Sequence, residues 1–224
     1  NISADNLPLS FTQERLWFLD QLEDASNLYN MPGLFKLRGT IYIDKLEEAF
    51  RQIVQRHEVL RTHFMTKDGK GFAHIQSEGQ WQLEQHDLSS VSTNESKSQS
   101  EMIIRQHLDS SFDLSKDCLL RTILIHLTDN ESILLINMHH IISDGWSVQV
   151  LVREFINLYS ALVENKKPEL KELPIQYADY SLWQRDYLQG ENLDKSLAYW
   201  RKQLSNVPVL ELPTDFKRPA IQSI

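Results

Sequence analysis

Ile133-Leu134-Leu135-Ile136-Asn137-Met138-His139-His140-Ile141-Ile142-Ser143-Asp144-Gly145-Trp146-Ser147-Val148 contains the change of period that decides the fold. The apolar run 133–136 reads as a buried strand. From Val148 the apolar residues recur at Leu151, Val152, Phe155, Tyr159 and Leu162, which is a helical period. Two adjacent histidines therefore sit where a strand stops, and Asp144 and Gly145 make the turn into a helix. Such turns present side chains at the open edge of a sheet, where a substrate has access. Successive strand residues point to opposite faces, so at most one of His139 and His140 faces a substrate unless the strand breaks there. Ser147 and Asp144 are both candidate N-caps. Gly145 permits a tight turn and a close approach of backbone to ligand. Free N–H groups at the helix start give a mildly positive corner, suited to a developing oxyanion or to a base that must stay neutral.

Alone, these residues leave several readings open. A histidine pair at a strand end serves structure in most proteins. His-His-x-x-x-Asp also suggests metal ligands, but no third His or Cys stands at a ligand spacing nearby, and no metal is expected here. A Ser-His-Asp hydrolase lacks its Gly-x-Ser-x-Gly elbow, and Ser143 and Ser147 are too local for a triad. Asp144 has three possible uses: orienting an imidazole, pairing with an arginine, or capping the helix.

Working outward, the 119–127 and 132–138 patterns form a strand pair joined by Thr128-Asp129-Asn130-Glu131, which delivers the histidines to the sheet edge. The helix from 147 to 164 is broken by Asn165-Lys166-Lys167-Pro168. Upstream, Ser10 with Gln13 has capping-box spacing ahead of Leu16, Leu19 and Leu22. Asn30-Met31-Pro32-Gly33 reads as a turn before a strand at Leu34, Phe35 and Leu37. Leu46, Ala49, Phe50, Ile53 and Val54 form one helical stripe. Asp68-Gly69-Lys70-Gly71 reads as a hairpin turn between strands at 61–65 and 72–76. Trp81, Leu83 and Gln85 alternate as a further strand. The polar stretch 89–100 is a solvated loop or the start of an exposed helix that continues to about Asp109. Helices follow over 176–184 and 193–204, and the Pro-rich 208–219 is extended, ending in Ile221-Gln222-Ser223-Ile224.

The composition is that of an ordinary globular protein: 224 residues, 41% hydrophobic, 24% charged. A net charge of -8, from 31 acidic and 23 basic residues, argues against nucleic acid as the main ligand. The lone cysteine, Cys118, excludes an internal disulfide and suits a reducing, cytoplasmic compartment; it reads as a buried thiol, not a nucleophile. No apolar run approaches membrane-spanning length, and 1–7 is not expected to be a signal peptide. The missing initiator Met is expected of a segment of a longer polypeptide or of a processed N-terminus.

The stretch from Met138 to Ser147 resembles the His-His-x-x-x-Asp-Gly motif of condensation domains of nonribosomal peptide synthetases, members of the chloramphenicol-acetyltransferase-like superfamily. Three further stretches are similar to that family's motifs, in order: Leu9-Ser10-Phe11-Thr12-Gln13-Glu14-Arg15-Leu16-Trp17-Phe18-Leu19; Arg56-His57-Glu58-Val59-Leu60-Arg61-Thr62-His63-Phe64; and Gln176-Tyr177-Ala178-Asp179-Tyr180-Ser181-Leu182-Trp183-Gln184, with Tyr180 where Phe is common. The resemblance implies an α/β (α+β) two-layer sandwich with a mixed sheet covered by helices. It assigns 1–175 to an N-terminal lobe and 176–224 to crossover helices and an extended segment. A C-terminal lobe would lie beyond, and the site at the junction.

The chemistry so implied is amide formation, in which an acceptor amine attacks a donor thioester. Both substrates ride on phosphopantetheine arms of carrier domains, with an adenylation domain adjacent, and no metal or directly bound cofactor is needed. By resemblance His140 faces the tunnel as base or amine-positioning group, Gly145 N–H is an oxyanion contact, and His139 is structural. Asp144 is a scaffold paired with Arg61, with Arg56 a second structural candidate, and Trp146, Ser147, Tyr177 and Trp183 line the substrate tunnel. The histidine pair argues against the cyclising variants, which carry Asp there. An acyl-CoA-dependent acyltransferase and a non-catalytic carrier-docking lobe are the alternatives.

Overall fold

The computed structural model describes residues 6–22, 26–210 and 212–217. The segments 1–5 and 218–224, with Pro219 and the terminal Ile-Gln-Ser-Ile, lie outside the described residues. The chain forms two compact units, one ending at Arg185 and one beginning at Asp186.

In chain order the first unit holds β1 (Leu7–Pro8), α1 (Phe11–Leu22), β2 (Asn30–Arg38), α2 (Ile43–Arg56), β3 (Thr62–Lys67), β4 (Lys70–Ile75), β5 (Leu83–Asp87), α3 (Thr93–Asp109), β6 (Leu120–Thr128), β7 (Glu131–His139) and α4 (Gly145–Val163). Most of α5 (Tyr177–Tyr187) also belongs to it. A four-stranded sheet has the order β2-β7-β6-β5. β5 runs parallel to β6, and the other pairs are antiparallel, so the sheet is mixed as expected. β1, β4 and β3 make a separate small antiparallel sheet.

Helices cover both faces of the larger sheet. Leu124 of β6 with Leu134, Ile136 and Met138 of β7 join the cluster that contains Leu46, Phe50 and Ile53 of α2 and Leu151 and Leu158 of α4. Ile123, Ile125 and Leu135 point the other way, against Ile103, Ile104 and Leu108 of α3. Burial on both faces explains why 133–136 is a continuous apolar run and not an alternating one.

Asn30-Met31-Pro32-Gly33 is not the expected turn but the first part of β2, with Pro32 opposite Asn137 and Gly33 opposite Ile136. β2 is an edge strand, where a proline without an N–H is tolerated. The hairpin turn is as read: Asp68 and Gly69 both have positive φ, 51° and 72°, which fits a two-residue type I′ turn. Gly71 has another cause. A Cβ there would lie 2.7 Å from Trp17 Cδ2 and 2.8 Å from Leu9 Cδ1. Gly71→Ala is therefore expected to overpack the α1–β4 contact and cost about 1–3 kcal/mol, read as a lower urea midpoint.

The second unit holds α6 (Gly190–Gln203) and the segment through 217. α6 has no buried residue, and Leu193, Leu197, Tyr199 and Trp200 are all exposed.

Candidate active site

β7 ends at His139, and the next five residues form the loop into α4. The two histidines part there. His139 is fully buried, ringed by Tyr29 and Phe112, while His140 is exposed. The backbone fixes the break: His139 N–H still donates to Leu119 O (3.1 Å), whereas His140 N–H donates to Tyr29 O (2.8 Å).

The hydrogen bonds give the rings opposite tautomers. His140 Nδ1 lies 2.6 Å from the Ser143 carbonyl. A carbonyl only accepts, so Nδ1 carries the proton, and a neutral ring then leaves the Nε2 lone pair free at an exposed position. His139 Nδ1 instead accepts from Ile141 N–H (3.1 Å), which places its proton on Nε2, a buried atom without a partner. Burial, aided by the charge of His140, holds the His139 ring down at about 4 from the ordinary 6.5.

That depression makes a pH prediction. Below pH 6.5 the unfolded chain takes the proton before the folded one does. The stability tied to His139 is therefore complete above about 6.5 and lost as pH falls toward 4, by about 3 kcal/mol in all. Urea titrations between pH 7 and 4 are expected to give a steeper loss for the native chain than for His139→Asn, and equal slopes would refute the assignment.

Asp144, not Ser147, is the N-cap of α4. It has extended backbone (φ -146°, ψ -178°), and its Oδ1 accepts from Ser147 N (2.7 Å) and Oγ (2.6 Å). The Ser147 hydroxyl is the first cause that lowers the Asp144 carboxyl from its usual range. Gly145 opens the helix without positive φ, and a Cβ there would meet nothing within 4 Å. The turn therefore does not require glycine; the residue keeps an open surface beside His140. Its N–H is among the helix-start donors that lack an intrahelical acceptor. Trp146 stands 76% exposed next to it.

Three buried polar residues that sequence reading did not single out for the site support this loop. Ser10 and Gln13 form the reciprocal capping box, at 3.2 Å in both directions, and Gln13 Nε2 also donates to Ile141 O (3.4 Å). Ser143 Oγ donates to His139 O (3.1 Å). The Tyr177 hydroxyl bonds Ser10 Oγ at 3.1 Å; burial raises its pKa first, and the nearby Asp144 charge adds to this. Trp183 is exposed beside Tyr180 on the same helix.

Comparison with known proteins now decides the family. The condensation-domain family model matches residues 3–224. The chain belongs to the condensation-domain family. A linear gramicidin synthase chain of Brevibacillus parabrevis is 43% identical over 224 residues, which is 99% of this chain and 4% of that one. The X-domain from teicoplanin biosynthesis, solved in complex with OxyB, superposes with a TM-score of 0.82 at 27% identity, over 97% of this chain and 47% of that one. The starter condensation domain of rhizomide synthetase gives 0.81 at 22% identity, over 90% of this chain and 48% of that one, and speaks for the fold alone. This condensation-domain chain thus spans about half the length of the solved chains it matches.

One expected pairing in the condensation-domain motifs is corrected. Arg61 does not meet Asp144. Its guanidinium lies beside Glu58 (Nη2–Oε1 3.7 Å) and donates to the Gln76 carbonyl, while Asp144 is committed to Ser147. Three residues along the chain, Glu58 is simply the nearer acid. Arg56 and His57 both go to Glu154 of α4, at 3.2 and 2.7 Å, and Arg56 also donates to Lys171 O. The signal for Glu154 was available: it is an acid on the buried stripe between Leu151 and Leu158. This pair fastens α2 to the helix whose first turn carries the site. Cys118 donates to Leu120 O, and burial raises its thiol, as suits a structural residue. No helix among the described residues is long and apolar enough to cross a membrane.

Proposed function

We propose that this lobe supplies the amine-side group of an amide-forming acyl transfer. The observation that carries the reading is the His140 ring, with Nδ1–H tied to Ser143 O and Nε2 free at the surface. The acceptor amine nitrogen attacks the donor thioester carbonyl, a C–N bond forms, the C–S bond breaks, and the sulfur leaves as a thiol. The proton lost by the amine passes to Nε2 and on to the departing sulfur. An α-amine titrates near pH 7.7–8.0 and is partly neutral without help. His140 therefore contributes by positioning the amine as well as by taking its proton. Gly145 N–H is the donor for the developing oxyanion. The Asp144 carboxylate beside it keeps that corner from being strongly positive, so the N–H acts as a directed hydrogen bond more than as a field.

In this reading both acyl groups arrive on phosphopantetheine arms, one from a donor carrier domain upstream and one from an acceptor carrier domain downstream. An adenylation domain lies adjacent, and a C-terminal lobe completes the site. Trp146, Ser147, Tyr177 and Trp183 line the approach, 1–175 is the N-terminal lobe, and the synthetase works in the cytoplasm on a secondary-metabolite peptide. The test is amide formation from loaded donor and acceptor carriers, by this chain and by a version extended through the second lobe. Turnover by the extended version alone supports the reading. Turnover with free acyl-CoA but not with carriers replaces it by the acyl-CoA-dependent reading. A carrier-binding role without chemistry is the second reading; the similar X-domain is solved in complex with another protein, OxyB. Carrier capture without turnover in the extended version selects it.

A further inference from the structure

We propose a divalent transition-metal site, separate from the histidine loop, at Glu84, His86 and His107. Glu84 and His86 are two residues apart on β5, so their side chains leave the same face. His107 comes from the last turn of α3. Glu84 Oε1 lies 2.7 Å from His86 Nε2 and 3.1 Å from His107 Nε2. One ligand atom from each residue lies within 4.8 Å of the other two. In a tetrahedral site with metal–ligand bonds of about 2.0–2.1 Å, neighbouring ligands stand about 3.3 Å apart, so rotamer adjustments suffice to admit a metal.

The backbone that presents the three ligands is held independently of them. β5 is fixed by its ladder with β6. The end of α3 is fixed by Asn137 Nδ2 donating to His107 O (3.3 Å) and Asn30 Nδ2 donating to Leu108 O (3.0 Å). Without metal, both Nε2–H groups converge on one carboxylate oxygen. On binding, the ring protons move to Nδ1 and both Nε2 lone pairs turn to the ion. Two imidazoles with one carboxylate suit zinc, cobalt, nickel or copper(II), whereas magnesium and calcium take oxygen shells. The His107 side chain is 18% exposed and that of Glu84 46%, so one side of the trio is open and a water fills the fourth position.

The site clamps the sheet and does not perform chemistry. β5 is an edge strand, joined to the sheet only through β6. A metal shared with α3 fastens it from a second direction. The clamp is independent of the amide-transfer reading.

The test uses untagged protein extended through the second lobe, with zinc binding followed by calorimetry and cobalt binding by its visible absorption. One equivalent is expected per chain, with a zinc-dependent rise in melting temperature and no competition from magnesium. The His86→Ala/His107→Ala double variant keeps every other histidine of the protein and controls for them. Its affinity is expected to fall by about tenfold or more, and its melting temperature no longer to respond to zinc. Circular dichroism confirms that it folds. A smaller loss of affinity, or displacement of zinc by magnesium, overturns the proposal.

Discussion

Replacing His140 by alanine is expected to lower amide formation about 10²–10⁴-fold in the complete two-lobe domain, with the fold unchanged. The fold is spared because the ring is exposed and its hydrogen bond is a local one, with Ser143 O three residues away. The loss is large because a general base or a positioned amine partner acts directly on the reacting nitrogen. The pH dependence separates these two contributions. If proton abstraction dominates, the deficit of His140→Ala shrinks above the amine's own range, near pH 7.7–8.0, where the amine needs no base. If positioning dominates, the deficit persists there. A variant that keeps the native rate at every pH would remove the proposed function altogether.

Phe50→Ala should be the costliest truncation in the α2–α4 layer, lowering stability by about 3–5 kcal/mol. Phe50 is completely buried. Its ring stacks on Trp81, with centroids 5.2 Å apart, and meets Phe155 of α4 at 4.7 Å. Truncation leaves a void that neither large ring fills without leaving its own partner, and dispersion is lost on several sides at once. Phe50→Leu keeps most of the volume and should cost less than about 1.5 kcal/mol. Urea unfolding monitored by tryptophan fluorescence measures both. A Phe50→Ala midpoint equal to that of Phe50→Leu would contradict this packing.

What could be read in the sequence depended on how local the cause was. The capping box at Ser10 and Gln13, the turn at Asp68-Gly69 and the change of period after His140 are each decided within a few residues, and each appears in the fold. Strand alternation allows at most one of the two histidines to face a substrate, and the end of β7 at His139 makes His140 the exposed one. Partner choice was another matter. Arg61 and Asp144 both needed counter-groups, and their motifs gave no measure of distance; a hydroxyl three residues from Asp144 and an acid three residues from Arg61 were nearer. Asn30-Met31-Pro32-Gly33 carries turn residues, yet nine consecutive pairings with β7 hold it extended. The Glu84, His86 and His107 trio spans a strand and the end of a helix, so no spacing rule reaches it.

The bonds Tyr177–Ser10–Gln13–Ile141 and the last step from Ile141 N–H to the His139 ring also have a mechanical meaning. Arg185 adds a second tie from the same helix, donating to Leu9 O and pairing with Glu14. α5 is the helix through which the chain leaves the first unit. It is thus geared, through a short train of polar contacts, to the loop that displays His140. Within the first unit, a shift of α5 at Tyr177 therefore reaches Ile141, the residue that follows His140, through hydrogen bonds alone.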